Sequence, residues 1–340
     1  MNRIQATLRK LTSISMFAGL FVSILGAPAT AQNVLATVSI PAASAGQIAV
    51  DPELQLIYAG GGPVTGSSLT VINGTTFAVV NTVSGSAGVS VDMSQDNYWD
   101  GTLSAGKVNV YQGGTTTQLA TFSVGSCPAA VAYDCKKHRV WASSSCGTGN
   151  DPVWVFDSNH LTEIGSAITP GGTIVTPPVV SSDNDKLYVT SGGVSREIDP
   201  NSFAVTTTTF GTVLAIDSNT SRLFATSGNN LQVISAHSDT LSKSATLTYT
   251  PTAIGVNNAM EHVYLLNSAG GAIDVYSETG NKIATFTLPA NSQPQSIAVD
   301  SVRGRIFVDV FNTSSQTWSL QVIEDLSTVK KCGFAGSCDY

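Results

Sequence analysis

The sequence predicts an all-β, seven-bladed β-propeller built from four-stranded antiparallel blades. Three observations predict it. First, a short apolar phrase ending in an acidic or small polar residue returns seven times, and an aromatic residue always follows seven positions after its end. The phrases end at Asp51, Asp92, Asp134, Ser181, Asp217, Asn257 and Asp300, and the aromatics are Tyr58, Trp99, Trp141, Tyr188, Phe224, Tyr264 and Phe307. Second, the phrase ends are 41, 42, 47, 36, 40 and 43 residues apart. A period of that size, made of strand-like units, belongs to a module that buries its faces only by stacking on its neighbours. Third, apolar and polar residues alternate with a period of two between the phrases, and no helix-length pattern appears beyond the N-terminal segment.

The elements follow in chain order. Residues 1–31 read as an export signal. Arg3, Arg9 and Lys10 precede an apolar run from Leu11 to Gly26, and Ala29-Thr30-Ala31 supplies the small residues a signal peptidase recognises. Cleavage is expected before Gln32, with a periplasmic or extracellular destination for the propeller at 32–340. Within each repeat the inner strand is the phrase itself, such as IAVD at 48–51. Its final Asp or Asn is placed to cap the next turn through its carboxylate or amide. The second strand carries the aromatic, as in LIYAG, RVWAS and RLFAT. One large flat side chain at a constant height can fill the gap between blades, burying roughly 150–250 Å² each time. A third strand follows a Gly/Ser-rich loop (SLTVIN, KVNVYQ, AIDVYS), and a fourth follows an Asn/Asp/Ser turn (QLATFSV, KIATFTLP).

Only six fourth strands can be read inside the repeats. The last repeat ends in STVKKCGFAGSCDY, a poor strand. NVLATVSIPA at 33–42 resembles NKIATFTLPA at 281–290, and each leads into an IAVD phrase. The N-terminal strand is therefore expected to complete the last blade, closing the ring and covering an edge.

Charge narrows the function. The chain has 16 Lys+Arg and 23 Asp+Glu; residues 1–31 hold three of the cations and none of the acids, which leaves 13 against 23, a net of −10. Such a surface repels phosphate, which disfavours nucleic acid and anionic membrane as partners.

The phrases LYVTSGG and VSREIDPNSFAVTTTTFGT, with SLTVINGTTFAVVNTVSG and GAIDVYSETGNKIATFTLPA, resemble the YVTN family of β-propeller repeats. The resemblance covers nearly all of residues 33–325. It implies an exported seven-bladed propeller acting as a binding or scaffold module. Ser181 in place of Asp, and Ser195-Arg196-Glu197 in an otherwise apolar third strand, depart from the pattern.

A propeller binds at the channel mouth formed by the fourth-to-first and second-to-third strand loops. The four histidines map to the opposite face in separate blades, which argues against a shared metal or general-base role. The carboxylates assigned to the mouth are Asp100, Asp151 and Asp309, with Trp318 and Tyr249 as its aromatics. No cofactor is expected: these carboxylates read as solvated loop aspartates, and although Asp and carbonyl oxygens can bind calcium, no D-x-D-x-D-G run is present. An ion pair between Arg196 and Glu197 is expected in blade 4. Cys127 and Cys146 fall in loops of one mouth and one blade, so the expected disulfides are Cys127–Cys146 and Cys332–Cys338, with Cys135 free on the far side. The function read from these features is a non-enzymatic exported propeller that binds a protein, peptide or glycan at its mouth. The alternative is a metal-dependent hydrolase or lyase of the lactonase or gluconolactonase type, which requires Asp100, Asp151 and Asp309 to converge.

Overall fold

The structure is a computed structural model of the chain and describes residues 32–41, 45–62, 67–125, 127–145 and 149–325. The expected export signal at 1–31 lies outside the described residues. So do Cys146, Cys332 and Cys338, and with them both expected disulfide pairings.

The described residues form seven four-stranded antiparallel sheets arranged as blades. Strands are lettered A to D from the channel outwards. The A strands are Ala45–Asp51, Gly88–Asp92, Pro128–Asp134, Val179–Ser181, Thr212–Asp217, Ile254–Asn257 and Ser292–Asp300. Two single-turn 3-10 helices, Met93–Gln95 and Leu103–Ala105, are the only helical segments among the described residues. Blade 7 takes its D strand from the N-terminus. Gln32–Ser39 pairs antiparallel with Thr317–Asp325, and Val38 packs with Leu320, Val322 and Phe307. The ring therefore closes as the sequence predicts.

The aromatic of each blade fills the gap to the next. Tyr58, Trp99, Trp141, Tyr188, Phe224, Tyr264 and Phe307 are all buried, and they sit in seven different apolar clusters, one for each inter-blade interface. The tyrosines also satisfy their polar ends across the gap. The Tyr58 hydroxyl accepts from the Gly114 amide at 3.0 Å, and the Tyr188 hydroxyl donates to Asp239 at 3.1 Å. Tyr264 donates to Asp325, which His262 also contacts at 2.8 Å. Each aromatic thus combines apolar burial with, for Tyr, a directional tie to the next blade.

The phrase-ending residues cap their turns. Asp51 accepts from the amides of Glu53 and Leu54, Asp92 from Ser94, Asp134 from Lys136 and Lys137, and Asp217 from Asn219 and Thr220. Asn257 and Asp300 accept from Met260 and Arg303, while Ser181 instead contacts the Asp183 and Asn184 side chains. Four residues after each phrase end the backbone turns left-handed, at Gln55, Asp96, His138, Asp185, Ser221, Glu261 and Gly304. Only blade 7 places a glycine where that conformation favours one.

Blades 3 and 4 are the irregular pair. Their D strands shrink to Thr162–Glu163 and Val205–Thr207. Cys127 and Cys135 flank the blade 3 A strand, whose seven residues span roughly 23 Å, so they cannot bond to each other. Each nonetheless has a partner of its own, and Cys135 is not the free thiol that sequence placement suggested.

Candidate binding site at the channel mouth

The D-to-A and B-to-C connections lie at one end of the ring, and a cavity of about 400 Å³ opens there. Its wall is the upper part of the A strands, including Gln47, Ile48, Ala130, Val179, Leu214 and Ile254. Blade 3 adds Ser143, Ser144 and Ser145 from the end of its B strand, and the loop before blade 4 adds 174–178. None of the described lining residues is charged or aromatic. Below it a second space of about 290 Å³ continues down the channel, sharing Gln47, Ile48 and Ile297.

The wall is held rigid by a bridge between blades. The Gln47 amide donates to the Val131 carbonyl at 3.0 Å and accepts from the Val131 amide at 2.7 Å, so blade 1 binds blade 3 across blade 2. Gly88 makes room for it. A Cβ there would stand 2.6 Å from both Gln47 Oε1 and the Ala130 Cα. Residues 174–178 are fixed to their surroundings as well. Asp151 accepts the Ile174 amide at 3.1 Å, and the Val175 amide donates to the Thr190 carbonyl at 3.0 Å. With its backbone held this way, Val175 turns its side chain to solvent at 62 % exposure, the highest value among the large apolar side chains described.

The expected site residues lie elsewhere. Asp100, Asp151 and Asp309 are all fully buried, in blades 2, 3 and 7. Asp100 sits inside the B strand Asn97–Thr102 and takes a hydrogen bond from Thr102 at 3.3 Å. Burial pushes its carboxyl up to about 6, with Ser86, Thr102 and Asn109 pulling the other way. Asp309 sits inside Arg305–Asn312, accepts from Ser296 at 3.2 Å and leaves its other oxygen unpartnered. Burial pushes its carboxyl up to about 8, so it holds its proton near neutrality. Trp318 is half-buried against Phe311, with ring centres 5.1 Å apart, and is not part of the cavity wall. Tyr249 donates to Asp274 at 2.8 Å. Among the described residues no group of three or more His, Cys, Asp or Glu is placed to hold a metal ion.

The histidines occupy the far face, in or beside A-to-B and C-to-D turns, where His138 meets Tyr133 and His160 meets Asp157. Arg196 and Glu197 form no ion pair with each other. Successive strand residues point to opposite faces; Glu197 pairs with Lys186 at 3.1 Å and Arg196 donates to Thr207 at 2.9 Å.

The stretches SSSCGTGNDP and TPGGTIVTPP contribute Ser143–Ser145 and residues 174–178 to the cavity wall. Gln47 carried no signal, because a single amide in an inner strand looks like any polar residue until its partner across the ring is seen.

No family model matches this chain, and no curated protein matches it. Among solved structures the chain is similar to the β-propeller domain of Cps50 (Swd1) from Myceliophteria thermophila, at 10 % identity and a TM-score of 0.68. The match covers 86 % of this chain and 99 % of that one. At such low identity the likeness shows the β-propeller fold and nothing finer.

Proposed function

We propose that this chain is an exported, non-enzymatic β-propeller that binds a ligand or partner at the mouth of its central channel. The observation that carries this reading is the neutral cavity of about 400 Å³ at the loop-bearing end, with Val175 exposed on its rim. That volume falls in the range of small-molecule sites, and a preformed wall limits the ordering cost of binding. The resemblance to YVTN repeats supports a binding or scaffold role. The N-terminal Arg3, Arg9 and Lys10, the apolar run and Ala29-Thr30-Ala31 support export.

The test is a thermal-shift screen of peptides, glycans and metabolites against the wild type and Ala253→Trp, which fills the cavity. The expected result is a set of compounds that raise the melting temperature of the wild type alone. Equal shifts in both proteins, or none in either, contradict the reading. Export is checked by cell fractionation and by N-terminal sequencing, which should begin at Gln32.

A further inference from the structure

Cys127 and Cys135 are each in a disulfide, and the blade 3 A strand keeps them from bonding to each other. The chain has three other cysteines, Cys146, Cys332 and Cys338. Cys146 follows Ser145, whose amide donates to the Cys127 carbonyl at 3.1 Å. Neighbouring Cα atoms are about 3.8 Å apart, so Cys146 stays at the mouth beside Cys127. Cys135 lies at the other end of the B strand Arg139–Ser144, which spans roughly 20 Å, far beyond the limit of about 7 Å for a disulfide. Cys332 and Cys338 remain as the partners open to Cys135.

We propose that residues 326–340 are fastened to Cys135 through Cys332 or Cys338 and dock over the far end of the channel, so that the channel opens only at the mouth. This docking does not depend on what the mouth binds. Asp325 ends the C strand of blade 7 on the far face, and Cys135 follows the A strand of blade 3 on the same face. Blades 7 and 3 stand almost opposite each other in the ring, so the line between these residues crosses the channel. The chain is long enough: seven residues to Cys332 reach roughly 23–25 Å when extended, and thirteen to Cys338 roughly 43–47 Å. The A-to-B turns of blades 1 and 2, on the shorter arc, expose Glu53 and Asp96 and carry no Lys or Arg, which suits Lys330 and Lys331. The space of about 290 Å³ at this end reaches the turns at Met93 and Ser301, between half-buried Ala132, Ala215, Val256 and Ala298. It is larger than the cavity of about 150 Å³ that holds benzene, so the Phe334 ring fits. The small residues around Phe334 (GFAGS) let a backbone approach the A strands, each of which is the inner edge of its sheet. As the bond closes, two thiols give up two electrons and two protons to a disulfide oxidant, which leaves as a pair of thiols.

The experiment uses the full chain, oxidised with glutathione disulfide, alongside Cys135→Ser and Phe334→Asp. Chymotrypsin with trypsin cuts at Tyr133, Lys136, Lys331 and Phe334, which puts the five cysteines on separate peptides. Non-reducing mass spectrometry should join the Cys135 peptide to that of Cys332 or Cys338, and Cys127 to Cys146. A Cys332–Cys338 bond, a free Cys135 or a bond between molecules overturns the proposal. Docking is read in the folded protein by the rate of trypsin cleavage after Lys330 and Lys331. That rate should be slower in the oxidised wild type than in either variant by about tenfold or more. Phe334→Asp retains the bond, so its faster cleavage separates docking from tethering. Equal rates in the wild type and Phe334→Asp overturn the docking. Melting curves of each variant separate these outcomes from misfolding.

Discussion

Asp309→Asn probes how the upper wall is built. Asp309 is fully buried, takes one hydrogen bond from Ser296, and its carboxyl is pushed from the usual 3.8 up to about 8. The folded chain therefore holds a proton that the unfolded chain releases once pH rises above the usual value. This group's contribution is intact below that value, falls as pH rises, and is lost through about 8. About four decades at 1.36 kcal/mol each set a ceiling of about 5 kcal/mol. Asparagine stays neutral throughout. Its extra donors cost about 1–3 kcal/mol at every pH. The variant should be the less stable protein near pH 4 and the more stable one near pH 9. Urea unfolding of both proteins at the two pH values reads this directly, and other titrating groups cancel in the difference. Stability profiles that run parallel across this window would refute the reasoning.

Trp141→Ala should cost about 3–5 kcal/mol in urea unfolding, because the buried indole fills the gap between blades 3 and 4. A loss below about 1 kcal/mol would mean that the aromatics are not the packing device. Gly304→Ala tests the left-handed turn position: φ is 63° and an added Cβ meets nothing nearer than 3.7 Å, so the cost is conformational, about 1 kcal/mol. Gln55→Gly, at the same position of blade 1 with φ 55°, should gain up to about 1 kcal/mol. His262→Ala removes a partner of the buried Asp325 between blades 6 and 7 and should cost about 3 kcal/mol by chemical denaturation.

Features fixed by local chemistry were legible in the sequence. The capping Asp at 51, 92, 134 and 217 repeats because each turn offers the same amides, and the aromatics repeat because each one is buried in its own inter-blade cluster. The N-terminal strand was legible because it still resembles the outer strand of blade 6. The binding cavity was not. Its wall draws short pieces from all seven blades, and none of those pieces is a motif. Asp100 and Asp309 were misplaced for a related reason. Residues just past a B-strand aromatic were read as loop, whereas the strands run on to Thr102 and Asn312 and carry both carboxylates into the interior. Alternation alone does not mark where a strand ends, and it puts Arg196 and Glu197 on opposite faces however complementary their charges.

The account depends on a ring closed by its own N-terminal strand, since closure gives the channel its shape. Thr37 and Gln321 face each other in that pairing, and the Thr37 hydroxyl donates to Gln321 Oε1 at 3.0 Å. Opposed residues of antiparallel strands have Cα atoms roughly 4.5–5.5 Å apart, within disulfide reach. Thr37→Cys combined with Gln321→Cys should form an intramolecular bond on oxidation and raise the melting temperature, with peptide mapping joining positions 37 and 321. A folded double variant that forms no such bond, or joins only between molecules, would contradict the closed ring.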